Sequence, residues 1–312
     1  MGSNYCLKAS KAGHDILGVD LRNRFKPDGC STASLDIREE RACKDICESF
    51  KPQAIIHTAR APGSLWEIEK NRIAAYRTNV IGTKNLLRCA EDLKATFVFF
   101  STDWVFDGTK GLGEGYKEND EVGPLNYYGV TKCLGEHAVG ESSVEWLIIR
   151  PAHIYGVHGA VLKPGPKNNL GLLEGSVWSR IWQAIQSEEK VKIPDDMHQT
   201  PVYVNHLVDT SMKLLERGFR GVYHVADRDC HTRYRVTRDV LKTLGLDSRR
   251  VEKGLKEDFA RSQSIPEDLV GILPENTCLD VSKIERDLGM RMPTFEEGLE
   301  LMAREVRTPE GN

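Results

Sequence analysis

Nothing in the 312 residues approaches the run of about 18 apolar residues needed to cross a bilayer. The first residues also lack the basic, apolar and small-residue succession of a secretory leader. No membrane association is therefore expected, and a cytoplasmic location is. Neither sign of charge dominates: 43 Lys and Arg stand against 46 Asp and Glu, for a formal charge of -3. That balance nominates neither nucleic acid nor an anionic membrane as partner. The eight cysteines include no C-x-x-C pair, so they read as buried small residues in a reducing compartment. The histidines form no close H-x-x-x-H pair, and no metal site is expected. His153, His158, His198 and His206 read as turn, surface or lobe residues, with His198 and Gln199 placed to approach a ligand from a second lobe. Internal repeats and low-complexity segments are missing too.

One further absence bears on chemistry. Residues 1–13 have the pattern of a short helix, and ILGVD at 16–20 that of a buried strand ending in an acid. Helix, strand and terminal acid form the second half of a dinucleotide-binding βαβ unit. The first half, an apolar strand and a glycine-rich turn, is not in the sequence. Gly2 stands where the last glycine of such a turn would be. Asp20 is the candidate for ribose hydroxyls, and Arg22 and Arg24 after it leave NADH and NADPH both open.

What is present is organised around residues 101–136, STDWVFDGTKGLGEGYKENDEVGPLNYYGVTKCLGE. The β-branched and aromatic run ATFVFFS at 95–101 predicts a buried strand that delivers Ser101, Thr102 and Asp103 at its carboxyl end. A helix opening at Tyr127 would carry Tyr128 and, one turn on, Lys132 on the same face. A hydroxyl, a phenol and an ammonium at the end of a parallel strand make a proton-transfer site. A lysine nearby is expected to lower the phenol's pKa, and a cofactor must carry any hydride.

Alternation of strand and helix continues around this centre. Strands are expected at Thr32–Leu35, 53–61, 144–150, 191–193 and 221–227, helices at 39–50, 73–91, Val177–Gln186, 232–244 and 295–306, and a short strand followed by a helix over 201–218. His57 reads as a core or strand-end histidine. Thr58, Ala59 and Arg60 would form a loop over the cofactor, with Asp36 at its adenine edge. Asn79 would bond a backbone group near the site. The pattern argues a doubly wound, mainly parallel α/β sheet. Residues 1–160, with 201–230, are assigned to a dinucleotide-binding domain. Residues 161–200 and 231–312 are assigned to a smaller α/β substrate lobe, entered through the Gly-, Pro- and Asn-rich segment 157–175.

STDWVFDG at 101–108, YKENDEVGPLNYYGVTKCLGE at 116–136, RPAHIYG at 150–156, NVIGTKNLL at 79–87 and QTPVYVNHLVD at 199–209 together resemble the extended short-chain dehydrogenase/reductases. The likeness covers nearly the whole chain. It is greatest to the branch that holds dTDP-4-dehydrorhamnose reductase and the regulatory beta subunit of methionine adenosyltransferase. The resemblance implies a Rossmann-like fold, here without its first strand, and a catalytic trio of Thr102, Tyr128 and Lys132. It implies Asp20, Asp36, Ala59, Asn79 and Lys132 around NADPH or NADH, and a nucleotide-linked 4-keto sugar or other small carbonyl compound as substrate. Trp104 follows Asp103 where the family's dehydratases carry Glu, which favours simple reduction. A silent regulatory subunit and a sugar-nucleotide epimerase are the alternatives, with a homodimer or a protein partner left open.

Overall fold

The computed structural model describes residues 1–22, 26–156, 178, 181, 187 and 189–307. Its centre is a parallel sheet of four strands in the order β10-β5-β4-β3, formed by Gly221–His224, Trp146–Arg150, Thr96–Phe100 and Ala54–His57. The sequence of β4, TFVFF, explains its central place. Phe97 and Phe99 point to one face and Val98 and Phe100 to the other, and all four are at most 2 % exposed. Burying each such phenylalanine contributes about 1.5–3 kcal/mol.

Both faces are covered. On one lie the helices α2 (Glu40–Phe50) and α5 (Gly82–Leu93), whose Cys43, Cys47, Leu86, Leu87 and Ala90 pack on Phe97, Phe99 and Ile148. On the other lie α1 (Gly2–Lys11) and α7 (Val204–Glu216), with Tyr5, Leu207 and Val208 against Val98, Phe100, Leu147 and Ile149. A second parallel pair, β1 (Leu17–Asp20) with β2 (Ser31–Ser34), stands apart. Neither of its strands is hydrogen-bonded to the four-stranded sheet.

The helix expected over 73–91 is broken. The span is covered by α4 (Arg72–Tyr76), a π-helical turn at Arg77–Ile81, and then α5, and a further helix, α3 (Leu65–Lys70), precedes it. Ser64 and Glu67 form a capping box that starts α3, a signal the expectation overlooked. The π turn holds Asn79, and such turns recur at functional sites.

Beyond β5 the elements are short. The pairs β6 (Ile154–Tyr155) with β9 (Val202–Tyr203), and β7 (Val191–Pro194) with β12 (Val251–Gly254), are parallel. β8 (His198–Gln199) lies between β11 (His231–Thr232) and β13 (Asn276–Thr277). The helix α8 (Arg233–Thr243) leaves β11, with Thr232 as its N-cap. The loop expected at 157–175 and most of the helix expected at Val177–Gln186 lie outside the described residues. Among the described residues no helix is long and apolar enough to cross a membrane. The reading of all cysteines as isolated residues is corrected: Cys230 and Cys278 are joined in a disulfide, Cα to Cα 5.7 Å. Their separation of 48 residues hid the pair from any spacing rule.

Candidate active site

Four parallel strands end on one side of the sheet, and the candidate residues collect there. β4 ends at Phe100, and Ser101 is held by its amide to Ile149 O at 2.7 Å. Thr102 follows, buried, its Oγ1 accepting from the Trp104 amide at 3.3 Å and donating to Asp103 Oδ1 at 3.0 Å. Thr277 from β13 donates to the other oxygen, Asp103 Oδ2, at 2.5 Å. Burial pushes the Asp103 carboxyl up to about 6, against these hydroxyls and the positive charge of Arg233.

The helix α6 (Tyr127–Gly140) starts where Asn126 caps it, with Oδ1 accepting from the Gly129 amide at 2.9 Å. The Asn126 amide nitrogen also donates to Ile272 O at 3.2 Å, which ties the helix start to a distant loop. A Cβ on Gly129 would lie 2.2 Å from Trp104 O. Glycine there lets α6 press against the Thr102–Trp104 turn. Tyr128 and Trp104 meet edge to face, ring centroids 6.4 Å apart.

The electrostatics differ from the expectation. Burial raises the Tyr128 phenol; Arg60 and a hydrogen bond with Thr102 pull it down, and Asp103 raises it. Lys132 is not among these influences. Its ammonium lies 4.2 Å from the centre of the Phe99 ring and is itself lowered to about 7, by burial first, with Glu136 opposing. The positive charge acting on the phenol is that of Arg60, whose Nη1 donates to Ala61 O at 2.8 Å.

Asn79 has both amide ends engaged. Its Oδ1 accepts from the Ala61 amide at 2.6 Å, and its Nδ2 donates to Thr131 Oγ1 at 2.9 Å. It therefore pins the loop after β3 to the catalytic helix. Ala59 stands exposed in that loop. His57 is a core residue as expected: buried, 2.9 Å from Thr83 Oγ1, and lowered to about 3 by burial, then by Lys132. Asp20 is exposed at the end of β1, one oxygen accepting from the Arg22 amide at 3.0 Å. Arg24 lies outside the described residues. Asp36 receives three side-chain bonds from Arg38, Nε to its two oxygens at 2.9 and 3.0 Å and Nη2 at 2.5 Å, which hold its carboxyl below the usual range.

A dinucleotide fits several of these residues. The start of α1 abuts the end of β3, since a Cβ on Gly2 would lie 2.9 Å from Thr58 Oγ1. No side chain caps α1, and helix N-termini are places where phosphate meets backbone N–H groups. Asp20 is free to accept from ribose hydroxyls, and the Lys132 ammonium has no hydrogen-bond partner among the described residues.

Sequence reasoning passed over Arg233, Thr277 and the role of Gln199. Arg233 stacks between Trp104 and Phe259, its guanidinium carbon 5.6 and 4.8 Å from the ring centres. It lies 130 positions beyond Asp103 in the chain (233 − 103), so no local pattern could bring the two together.

Residues 11–308 match the family described as RmlD substrate binding domain. The chain is 26% identical over 300 residues to a probable low-salt glycan biosynthesis reductase, Agl14, of Haloferax volcanii, covering 96% of this chain and 92% of that one. It is 28% identical over 276 residues to methionine adenosyltransferase 2 subunit beta of Xenopus tropicalis, covering 85% and 74%. The crystal structure of dTDP-4-dehydrorhamnose reductase from Bacillus anthracis in complex with NADP superposes with a TM-score of 0.71 at 25% identity, covering 91% and 94%.

Proposed function

The chain belongs to the RmlD substrate binding domain family, in the dTDP-4-dehydrorhamnose reductase branch of the extended short-chain dehydrogenase/reductases, and from that premise we propose that it is an NAD(P)H-dependent reductase of a nucleotide-linked 4-keto sugar. The observation that carries the reading is the meeting of Thr102, Asp103 and Tyr128 at the carboxyl end of β4, with Lys132 one turn beyond Tyr128 on α6. A bound nicotinamide would supply the hydride. Tyr128 donates its phenolic proton to the carbonyl oxygen, and Arg60 and Thr102 favour the phenolate that remains. The Trp104 amide fixes the rotamer of Thr102, whose single hydroxyl hydrogen, donated to Asp103 in this structure, would turn to that oxygen when substrate binds.

Lys132 would meet the nicotinamide ribose, and Asp20 the adenosine ribose. Ala59, in the loop that Asn79 braces, would allow close approach of the cofactor, with Asp36 behind its adenine edge. Residues 1–160 with 201–230 would then hold the cofactor, and 161–200 with 231–312 the sugar nucleotide.

Two measurements test this. Titration calorimetry with NADH and NADPH separately should give binding to one or both. Turnover of dTDP-4-keto-6-deoxyhexose, followed by loss of nicotinamide absorbance, should fall about 10²–10⁴-fold in Tyr128→Phe. Folded protein that binds neither cofactor and turns over no 4-keto sugar nucleotide would sink the enzyme. The likeness to the methionine adenosyltransferase beta subunit would then direct the search to a protein partner.

A further inference from the structure

Two buried hydrogen-bond donors near the trio have no partner among the described residues. Arg233 is 8 % exposed, yet its Nη1 has no partner, and among the described residues no carboxylate lies within ion-pair distance of it. Asp103 feels its charge, but the Asp103 oxygens already accept from Thr102 and Thr277. His153, in the loop after β5, is the second, with a buried and unpartnered Nε2.

A single amide links them and fixes their protons. Arg233 Nε donates to Gln199 Oε1 at 3.4 Å. That orients the amide so that Gln199 Nε2 faces His153 Nδ1, at 2.5 Å. Nδ1 is therefore the acceptor, and a neutral His153 must carry its hydrogen on Nε2. Burial keeps it neutral, lowering it to about 3, and Arg233 adds to the shift. The result is a guanidinium N–H and an imidazole N–H, both buried and both without an acceptor among the described residues. Native interiors rarely leave such donors unmet: water, an ion or a ligand meets them.

Their place says which ligand. Arg233 stacks on the face of Trp104, and Trp104 touches Tyr128. The unmet donors thus lie about one indole beyond the phenol, within the span of a sugar nucleotide whose carbonyl sits at Tyr128.

We propose that Arg233 and His153, held by Gln199, form a recognition site for an anionic oxygen group of the substrate, either a carboxylate on the sugar or the diphosphate that links it to its nucleoside. The inference rests on the nucleotide-sugar part of the reading above, and not on turnover. Neutral or methyl-bearing sugar positions would leave both donors unmet; an oxyanion satisfies both, and Arg233 with a charge-assisted bond.

Binding without cofactor tests it and separates it from the reductase reading. Titration calorimetry would use UDP, UDP-glucose and UDP-glucuronate, and the corresponding dTDP compounds. Tighter binding of UDP-glucuronate than of UDP-glucose, with the preference abolished in Arg233→Gln and partly restored in Arg233→Lys, assigns the site to a sugar carboxylate. A uniform loss of about 10- to 100-fold across all the probes in Arg233→Gln assigns it to the diphosphate. His153→Phe, which keeps a ring edge to face with Trp178 but removes the donor, should weaken the same probes. If Arg233→Gln and His153→Phe, with unchanged thermal midpoints, bind every probe as the wild type does, or if the folded wild type binds none, the proposal is overturned. Binding that behaves as expected in a protein with no reductase turnover would retain this site and remove only the hydride chemistry.

Discussion

Lys132 shows how strongly one side chain depends on its surroundings. Its ammonium is buried over Phe99 and its pKa falls to about 7, so the unfolded chain holds more protons than the folded one between about 7 and the ordinary 10.5. Stability must then rise with pH across that window, because burial penalises the charged form that predominates below it. Comparison of the wild type with Lys132→Met should show the wild type gaining ground by about 1.4 kcal/mol per pH unit from pH 7 upward. Urea-denaturation midpoints at pH 7, 8 and 9 would measure it, and a difference independent of pH would contradict the assigned burial. Turnover should be lost in the same variant at every pH. Tyr128 takes its nearest positive influence from Arg60 instead, a residue that the Tyr-x-x-x-Lys spacing does not reveal.

Between elements, the decisive contact is α6 against the turn after β4. Gly129 is helical, and its value lies only in the missing Cβ, which would fall 2.2 Å from Trp104 O. Gly129→Ala should therefore push Tyr128 away from Thr102. We expect a loss of about 1–3 kcal/mol of stability by overpacking and a drop in kcat larger than any change in KM. Unaltered kinetics and an unaltered thermal midpoint would show that the helix tolerates the shift. The strand β4, the helix α6 and the Thr–Tyr–Lys spacing were legible in the sequence because each is local: five β-formers in a row, and a tyrosine and a lysine one helical turn apart. The π turn at Arg77–Ile81 was not legible, since it is set by Asn79 reaching to Ala61 and Thr131. Arg233, His153 and Gln199 come from three separate stretches, and only tertiary packing unites them.

Across the whole molecule, four histidines are buried in the neutral form. His57, His153 and His224 are lowered to about 3 and His206 to about 4, each chiefly by burial. The unfolded chain takes up their protons near the ordinary 6.5, so their contribution to stability is present above that pH and is lost as pH falls toward 4. Asp103, Asp227 and Glu118 act in the opposite sense, their raised carboxyls taking protons in the folded state. Four against three leaves a net loss, at about 1.4 kcal/mol per pH unit for each uncompensated proton. The guanidinium-denaturation midpoint should drop between pH 6.5 and 4.5, and a flat profile would refute the balance. The division of the parallel strands into a pair and a quartet has a practical consequence as well. β1 and β3 each present a row of backbone N–H and C=O groups that no described strand occupies. Such rows template fibrils and gels when another chain adds to them, so solubility during concentration and storage will be governed by how those two rims are kept apart from their neighbours.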